Sequence, residues 1–214
     1  MNNRIITLIL VVLLALGSFA EKRTTQATLF RQFKPSVITL KDGRQVKQSL
    51  TNVFLKNSSL IYLKGEYTME ANMDNIAVVE FDDVKFININ NKLAYLIGDV
   101  GKNALYRIDL LDVDAYNAHL RNNVNISNLD VGEMVSVTTL DTNTEDDYKF
   151  PIFPHFYYRY NGEFVTVHER EIWRKMPKDK ELRRMFKTII GEPTFSWTDN
   201  DSLMKLLKAI TPEQ

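Results

Sequence analysis

The 214-residue chain contains no cysteine, which excludes disulfides, thiolate metal sites, cysteine nucleophiles and iron–sulfur clusters. With 8 glycines and 6 prolines it is too poor in both for a collagen-like repeat. Catalytic signatures are missing as well. There is no Gly-x-Ser-x-Gly elbow, no Walker loop and no dinucleotide fingerprint, and no Ser is joined to a His and an Asp by a local signature. What is present is ordinary for a globular protein: 44% hydrophobic and 25% charged residues supply a real core and exclude disorder and a fibrous repeat.

The one sustained apolar stretch opens the chain. Met1-Asn2-Asn3-Arg4 precedes an apolar run in which Thr7 is the only polar residue up to Leu16, and Gly17-Ser18-Phe19-Ala20 follows before Glu21-Lys22-Arg23. That is a basic start, a short apolar region and a small-residue cleavage site, the composition of a signal peptide. Residues 5–20 number 16, fewer than the roughly 20 needed to span about 30 Å of hydrocarbon, so cleavage between Ala20 and Glu21 is expected rather than an uncleaved N-terminal anchor. No Cys follows, which excludes lipoprotein attachment. The expected location is periplasmic or extracellular, with no transmembrane segment in the mature chain. A cysteine-free exported chain suits a bacterial envelope, because small eukaryotic secreted domains usually carry disulfides. Asn57-Ser58-Ser59, Asn125-Ile126-Ser127 and Asn200-Asp201-Ser202 fit the glycosylation sequon, which matters only in a eukaryotic secretory pathway.

Residues 21–168 read as a β-rich domain. Val37-Ile38-Thr39-Leu40 and Arg44-Gln45-Val46 flank Lys41-Asp42-Gly43, and Asp-Gly accepts the positive φ of a tight hairpin turn. Further candidate strands lie at 53–55, 60–63, 67–71, 76–81, 84–89, 93–97 and 105–110. Their spacing of roughly 8–12 residues and their β-branched and aromatic content predict an antiparallel sandwich or barrel rather than alternating β/α units. Residues 112–120 read as a short helix with Val113, Tyr116 and Leu120 on one side, 131–140 as a strand and 141–147 as a polar loop. A second hairpin is centred on Asn161-Gly162. A two-residue loop there sets Tyr160 against Glu163, Tyr158 against Val165 and Phe156 against Val167 on a core face, and Arg159 against Phe164, Tyr157 against Thr166 and His155 against His168 on a wetter one.

Residues 169–214 read as a helical segment packed on the sheet, making the fold class α+β and mainly antiparallel β. Pro177 suits a first helical position, and Leu182, Met185, Phe186, Ile189 and Ile190 form one apolar stripe ended by Gly191 and Pro193. Asp199 or Thr198 caps a last helix with a stripe of Leu203, Leu206, Leu207 and Ile210. Both stripes are packing faces, since neither adjoins an aromatic membrane edge.

Lysine plus arginine and aspartate plus glutamate balance at 27 each, but the signs are segregated. Residues 21–65 carry nine basic and two acidic side chains, 66–147 five and sixteen, and 148–214 twelve and nine, so the middle segment is net −11. Arg170, Arg174, Lys175, Lys178, Lys180, Arg183, Arg184 and Lys187 concentrate basic charge in the helices, read as a solvated face partly neutralised by the acidic segment. Nucleic-acid binding would need an uncompensated basic surface and is not expected.

Chemistry-bearing residues are few. His155 and His168, if paired across the hairpin, could hold part of a zinc site or act as a pH switch, but a third ligand is lacking: Glu169 points to the other face, and no His stands at 172 to complete a His-Glu-x-x-His helix. The run Asp141-Thr142-Asn143-Thr144-Glu145-Asp146-Asp147 begins like a calcium loop, yet Asp146 stands where an EF-hand needs Gly, and Ile152 where it needs Glu. Asp82, Asp83, Asp109, Asp112 and Asp114 could supply paired carboxylates, with turn and capping roles the commoner use. Of the aromatic group Phe153, Phe156, Tyr157, Tyr158, Tyr160 and Trp173, core positions are expected for Phe156 and Tyr158, while Tyr157 is expected to stay available. The candidate surface is therefore His155, Tyr157 and His168, with no catalytic residue, metal ligand set or cofactor.

The signal segment, Met73-Asp74-Asn75-Ile76 followed by Val79-Glu80-Phe81-Asp82-Asp83, and His168-Glu169-Arg170 before basic helices resemble uncharacterised exported β-rich proteins of gut Bacteroidota. The resemblance implies a periplasmic or surface location and carries no catalytic residues. The expected function is an exported, non-enzymatic protein binding a partner protein or envelope component. The alternatives are an envelope hydrolase acting on sugars or peptides, and a metal- or small-ligand-binding module.

Overall fold

The computed structural model describes residues 26–82, 84–123 and 150–211, with the backbone alone for 119–123. The expected signal segment, the strand at 131–140 and the acidic loop at 141–147 lie outside the described residues. Ten strands, β1 (Lys34–Leu40), β2 (Gln45–Phe54), β3 (Ser59–Lys64), β4 (Tyr67–Glu70), β5 (Ile76–Phe81), β6 (Val84–Ile89), β7 (Lys92–Val100), β8 (Asn103–Leu111), β9 (Ile152–Tyr160) and β10 (Glu163–Thr166), make one sheet. Its order is β10-β9-β8-β7-β6-β5-β1-β2-β3-β4, and every neighbouring pair is antiparallel. A 3-10 turn at Met73–Asn75 and four α-helices complete the described chain: α1 (Val113–Asn123), α2 (Glu169–Lys175), α3 (Lys180–Ile190) and α4 (Asn200–Ile210).

Of the two expected forms the barrel-like one is realised, as a sheet curled through half a barrel with the C-terminal helices packed on it. Hydrogen bonds across the curl hold it. The Leu93 N–H donates to the Ser58 carbonyl and the Ser58 hydroxyl to the Leu93 carbonyl, each at 2.8 Å, while the Leu111 N–H reaches the Leu55 carbonyl at 2.8 Å. These join the β2–β3 turn to β7 and β8, which lie well away in strand order. Asn52, fully buried, pins the segment entering β1: its amide nitrogen donates to the Phe30 and Gln32 carbonyls at 2.8 and 3.1 Å, and its oxygen accepts from the Phe30 N–H at 3.1 Å. Each of its groups is thereby satisfied without water, as burial of an amide requires.

The turns follow from the sequence. Gly43 at φ 85° closes the β1–β2 hairpin, and Asn161 and Gly162 at φ 50° and 85° form the two-residue turn between β9 and β10. The resulting register sets Glu163 opposite Tyr160, Phe164 opposite Arg159, Val165 opposite Tyr158 and Thr166 opposite Tyr157, as the sequence predicts. By contrast β2 is one ten-residue strand where the sequence suggested two short ones. Its polar stretch Gln45 to Gln48 is solvent-facing, which breaks the apolar pattern without breaking the ladder.

The inner face of the curl carries two large cores. Ile38, Val53, Leu60, Val79, Phe81 and Phe86 fill the half-barrel, and Leu105, Phe156, Tyr158, Tyr160 and Val165 pack under the helices. Leu203, Leu206, Leu207 and Ile210 of α4 are all fully buried there, each large side chain contributing about 1.5–3 kcal/mol before entropic losses. Two tyrosines reach through this core to the helix backbone: Tyr158 donates to the Leu203 carbonyl at 2.7 Å and Tyr160 to the Ile210 carbonyl at 2.9 Å. Asn103 ties the hairpin turn to the same helix, accepting from the Asn161 N–H at 2.9 Å and donating to the Thr211 hydroxyl at 3.0 Å.

Three helix details depart from the sequence reading. Pro177 lies before α3, not inside it, because Asp179 caps the helix by accepting from the Glu181 and Leu182 N–H groups. Met185 is exposed, so the buried stripe of α3 narrows to Phe186 and Ile189, with Leu182 and Ile190 at its margins. Val113 is likewise exposed, while Tyr116 of α1 is buried beside Ala27, Leu55 and Leu111, and the Leu120 side chain lies outside the described residues.

Candidate functional site

The alternation of a strand sends successive side chains to opposite faces. On β9 that sends Phe156, Tyr158 and Tyr160 to the buried inner face and Phe153, His155, Tyr157 and Arg159 to the outer one. Their outer-face neighbours on β8 are Leu110, Ile108, Tyr106 and Ala104, paired in that order with Phe153, His155, Tyr157 and Arg159. Beyond them lie Leu96 of β7, opposite Tyr106, and Phe164 of β10, opposite Arg159. The described helices leave this face clear: α4 packs on β7 and β8 within the inner core, and α2 and α3 extend that same core. Among the described residues the outer cluster is built from strand residues, with Ile89, Ala94, Ala104, Tyr106 and Ile108 buried at its centre.

Its rim is apolar and open. Leu96 is 49% exposed, Phe153 51% and Phe164 43%. Phe164 meets Tyr106 edge to face with ring centroids 5.8 Å apart, and Phe153 meets His155 in the same way at 5.1 Å. Tyr157 is half-buried and packs into the cluster beside its cross-strand partner Tyr106, so its phenol edge rather than its whole ring is offered.

The three residues singled out in the sequence are distributed as follows. His155 and Tyr157 alternate on the outer face of β9. His168 leaves the ladder, whose last bond in this hairpin runs from the Val167 N–H to the Phe156 carbonyl, and becomes the N-cap of α2, its Nδ1 accepting from the Arg170 N–H. Each imidazole thus has its own neighbours. Burial, and then the positive charge of Lys92, hold the His155 ring below its usual titration range. Among the described residues no three or more His, Asp or Glu side chains gather where they could hold a metal ion.

A second constellation, absent from the sequence reading, sits on the inner face between the two cores. Asp109 is only 7% exposed, yet it is a carboxylate. The Arg107 Nε donates to its Oδ1 at 2.6 Å and the Tyr95 hydroxyl to its Oδ2 at 3.1 Å. Tyr95 and Arg107 are direct cross-strand partners, and the guanidinium also lies 5.9 Å from the Phe156 ring centroid. Burial first, and the neighbouring Asp109 carboxylate second, push the Tyr95 phenol up to about 12. The trio is closed on itself, both carboxylate oxygens being engaged. Its sequence signal is Arg107-Ile108-Asp109 inside an apolar strand, where a spacing of two puts opposite charges on one face. Of the other carboxylates, Asp112 caps α1 through the Ala115 N–H at 2.9 Å.

The basic helical face is largely paired. Lys175 meets Glu163, Lys187 meets Glu169 and Arg174 meets Glu171, while Arg183 and Lys187 lie over Trp173 at 4.6 and 5.1 Å. An open depression of about 580 Å³ between α3 and α4 is lined by Ile189, Asp201, Met204, Lys205, Lys208 and Ala209. No helix among the described residues is long and apolar enough to cross a membrane. Compared with known protein families, with curated proteins and with solved structures, the chain has no match in any of the three.

Proposed function

We propose that this is an exported, non-enzymatic binding protein of the cell envelope and that the outer face of β7 to β10 is its interaction surface. The observation that carries the reading is the joint exposure of Leu96, Phe153 and Phe164 around Tyr106 and Tyr157, on a face that no described helix covers. Large apolar side chains exposed together on one face mark interaction sites, and aromatic side chains supply contact area at small entropic loss. A binding role also accords with the interior chemistry, because the buried carboxylate Asp109 is spent on Arg107 and Tyr95. Export rests on the basic, apolar and small-residue order of the first 20 residues.

The test is capture of the mature protein from its native envelope, with wild type compared against Phe164→Ser and Leu96→Arg. Loss of the captured partner in both variants, with an unchanged circular-dichroism spectrum, is expected. Equal capture by all three proteins would refute the assignment of this face. N-terminal sequencing of the exported protein checks the Ala20–Glu21 cleavage.

A further inference from the structure

We propose that Met204 is an oxidation site, at which a hydroperoxide converts the thioether to its sulfoxide and thereby loosens α4 from the sheet. The chain has no cysteine, so its 7 methionines hold all of its sulfur, and a two-electron oxidant that meets no thiol is taken up by thioethers. Among the five described methionines, access and consequence are separated in all but one. Met69 on β4 and Met185 on α3 are 40% and 39% exposed and belong to neither large core, so a sulfoxide there alters surface alone. Met73 and Met176 are buried, and the Met73 sulfur accepts from the Leu60 N–H at 3.4 Å. Met204 has both properties. It is half-buried, lines the open depression between α3 and α4 with Ile189 and Ala209, and packs against the inner core.

The consequence follows from Gly98. A Cβ at that position would lie 3.2 Å from the Met204 Sδ, so the thioether fills the space that a side chain there would need, where α4 packs on β7. In the reaction a sulfur lone pair attacks the terminal oxygen of the hydroperoxide: the O–O bond breaks, an S–O bond forms, the sulfur gives up two electrons, and the peroxide leaves as water or an alcohol. The product is larger and strongly polar. Held against Gly98, the added oxygen needs room that the β7 backbone already takes, and it buries a strong acceptor that must find a donor. Turned out into the depression, it reaches water but leaves the space beside Gly98 empty. Either outcome weakens the seat of the helix. The adjacent residue, Leu203, is where Tyr158 donates to the α4 backbone, so loosening begins at a bond that joins sheet to helix. Lacking cysteine, the chain cannot reverse the change itself. A dithiol-dependent reductase must do so, two thiols closing to a disulfide as the oxygen leaves as water.

The test treats the natively folded protein with hydrogen peroxide, follows oxygen uptake at each methionine by peptide mass spectrometry, and measures amide hydrogen exchange across α4 on the same samples. Met204 should take up oxygen well ahead of Met73 and Met176, and exchange across α4 should then quicken about tenfold or more. Met204→Leu keeps the volume and should hold α4 at its untreated rate, while Met69→Leu/Met185→Leu should respond as wild type does. Reducing the oxidised wild type with a methionine sulfoxide reductase and a dithiol should restore slow exchange, a readout that needs no variant. The proposal is overturned if Met204 is oxidised no sooner than Met73 and Met176, or if its sulfoxide leaves exchange unchanged. A Met204→Leu protein that loosens to the same extent, or exchange that stays fast after reduction, overturns it equally.

Discussion

The thioether of Met204 on α4 rests where a side chain at Gly98 of β7 would begin: a Cβ at position 98 would lie 2.9 Å from Met204 Cε and 3.2 Å from its Sδ. The register irregularity of β7 next to Gly98 therefore serves as the socket for the helix. Gly98→Val should cost about 1–3 kcal/mol through overpacking, and Gly98→Ala less, because the methionine tip can turn aside. Urea unfolding measures both. The double variant Gly98→Val/Met204→Ala should lose less than the sum of the single variants, since the two positions share one space.

The β9–β10 turn needs two residues at positive φ, and Gly162 holds the larger value, 85°. Gly162→Val should destabilise the protein by about 1–2 kcal/mol, the strain of a β-branched residue in the left-handed region. The loss should appear in the amide shifts of Asn103 and Thr211 as well as in the hairpin, because Asn103 links the turn to the end of α4.

Tyr158 joins the sheet to α4 by a hydrogen bond within a fully packed core. Tyr158→Phe keeps the ring and removes the bond, so a loss of about 0.5–1.5 kcal/mol is expected in chemical denaturation. A chain ended near His168 uncovers the whole inner cluster of Leu105, Phe156, Tyr158 and Val165 and should melt well below the chain that keeps the helices.

Tyr95 titrates at about 12 in the folded protein, against about 10 when unfolded. Its neutral form is favoured by folding, so this contribution to stability is whole below pH 10 and is lost as pH rises from 10 toward 12. Ultraviolet titration at alkaline pH should show Tyr95 among the late-ionising phenols, together with Tyr158 and Tyr160, which burial also raises. Asp109→Asn should bring the Tyr95 transition down part of the way, leaving the share due to burial.

His155 is held low by burial and by Lys92. The unfolded ring binds a proton more readily than the folded one, so the neutral histidine imposes no penalty above its unfolded value near 6.5, and stability falls as pH drops below it. NMR titration of the ring should give a value below 6.5 in wild type and a higher one in Lys92→Gln.

Turn chemistry and helix periodicity made much of the fold legible. Asp42-Gly43 and Asn161-Gly162 specify positive φ locally, and the spacing of Leu203, Leu206, Leu207 and Ile210 defines a face without knowledge of what covers it. The curl was not legible, because it depends on Ser58 meeting Leu93 across 35 residues of chain. Tyr95, Arg107 and Asp109 were obscure for a related reason. Each looks like an isolated polar residue within a strand until the β7–β8 register sets Tyr95 against Arg107. The outer face is half visible in the sequence: the hairpin register marks Tyr157 and His155, whereas Leu96 and Phe164 have the pattern of ordinary strand residues.

The first strand in sequence, β1, ends up as the seam of the sheet, with β2 on one side and β5 on the other. Strands β1 to β4 are one meander and β5 to β10 another, and the two are stitched along that seam and across the curl. For a polypeptide delivered N-terminus first, strands β1 to β4 can zip together from short hairpins while β5 is still to arrive. The vacant side of β1 is then a template, and each later strand adds to the one before it, so the sheet grows outward in the order of synthesis. During that interval β1 and β4 are both open edges, and only that of β1 is later covered by β5.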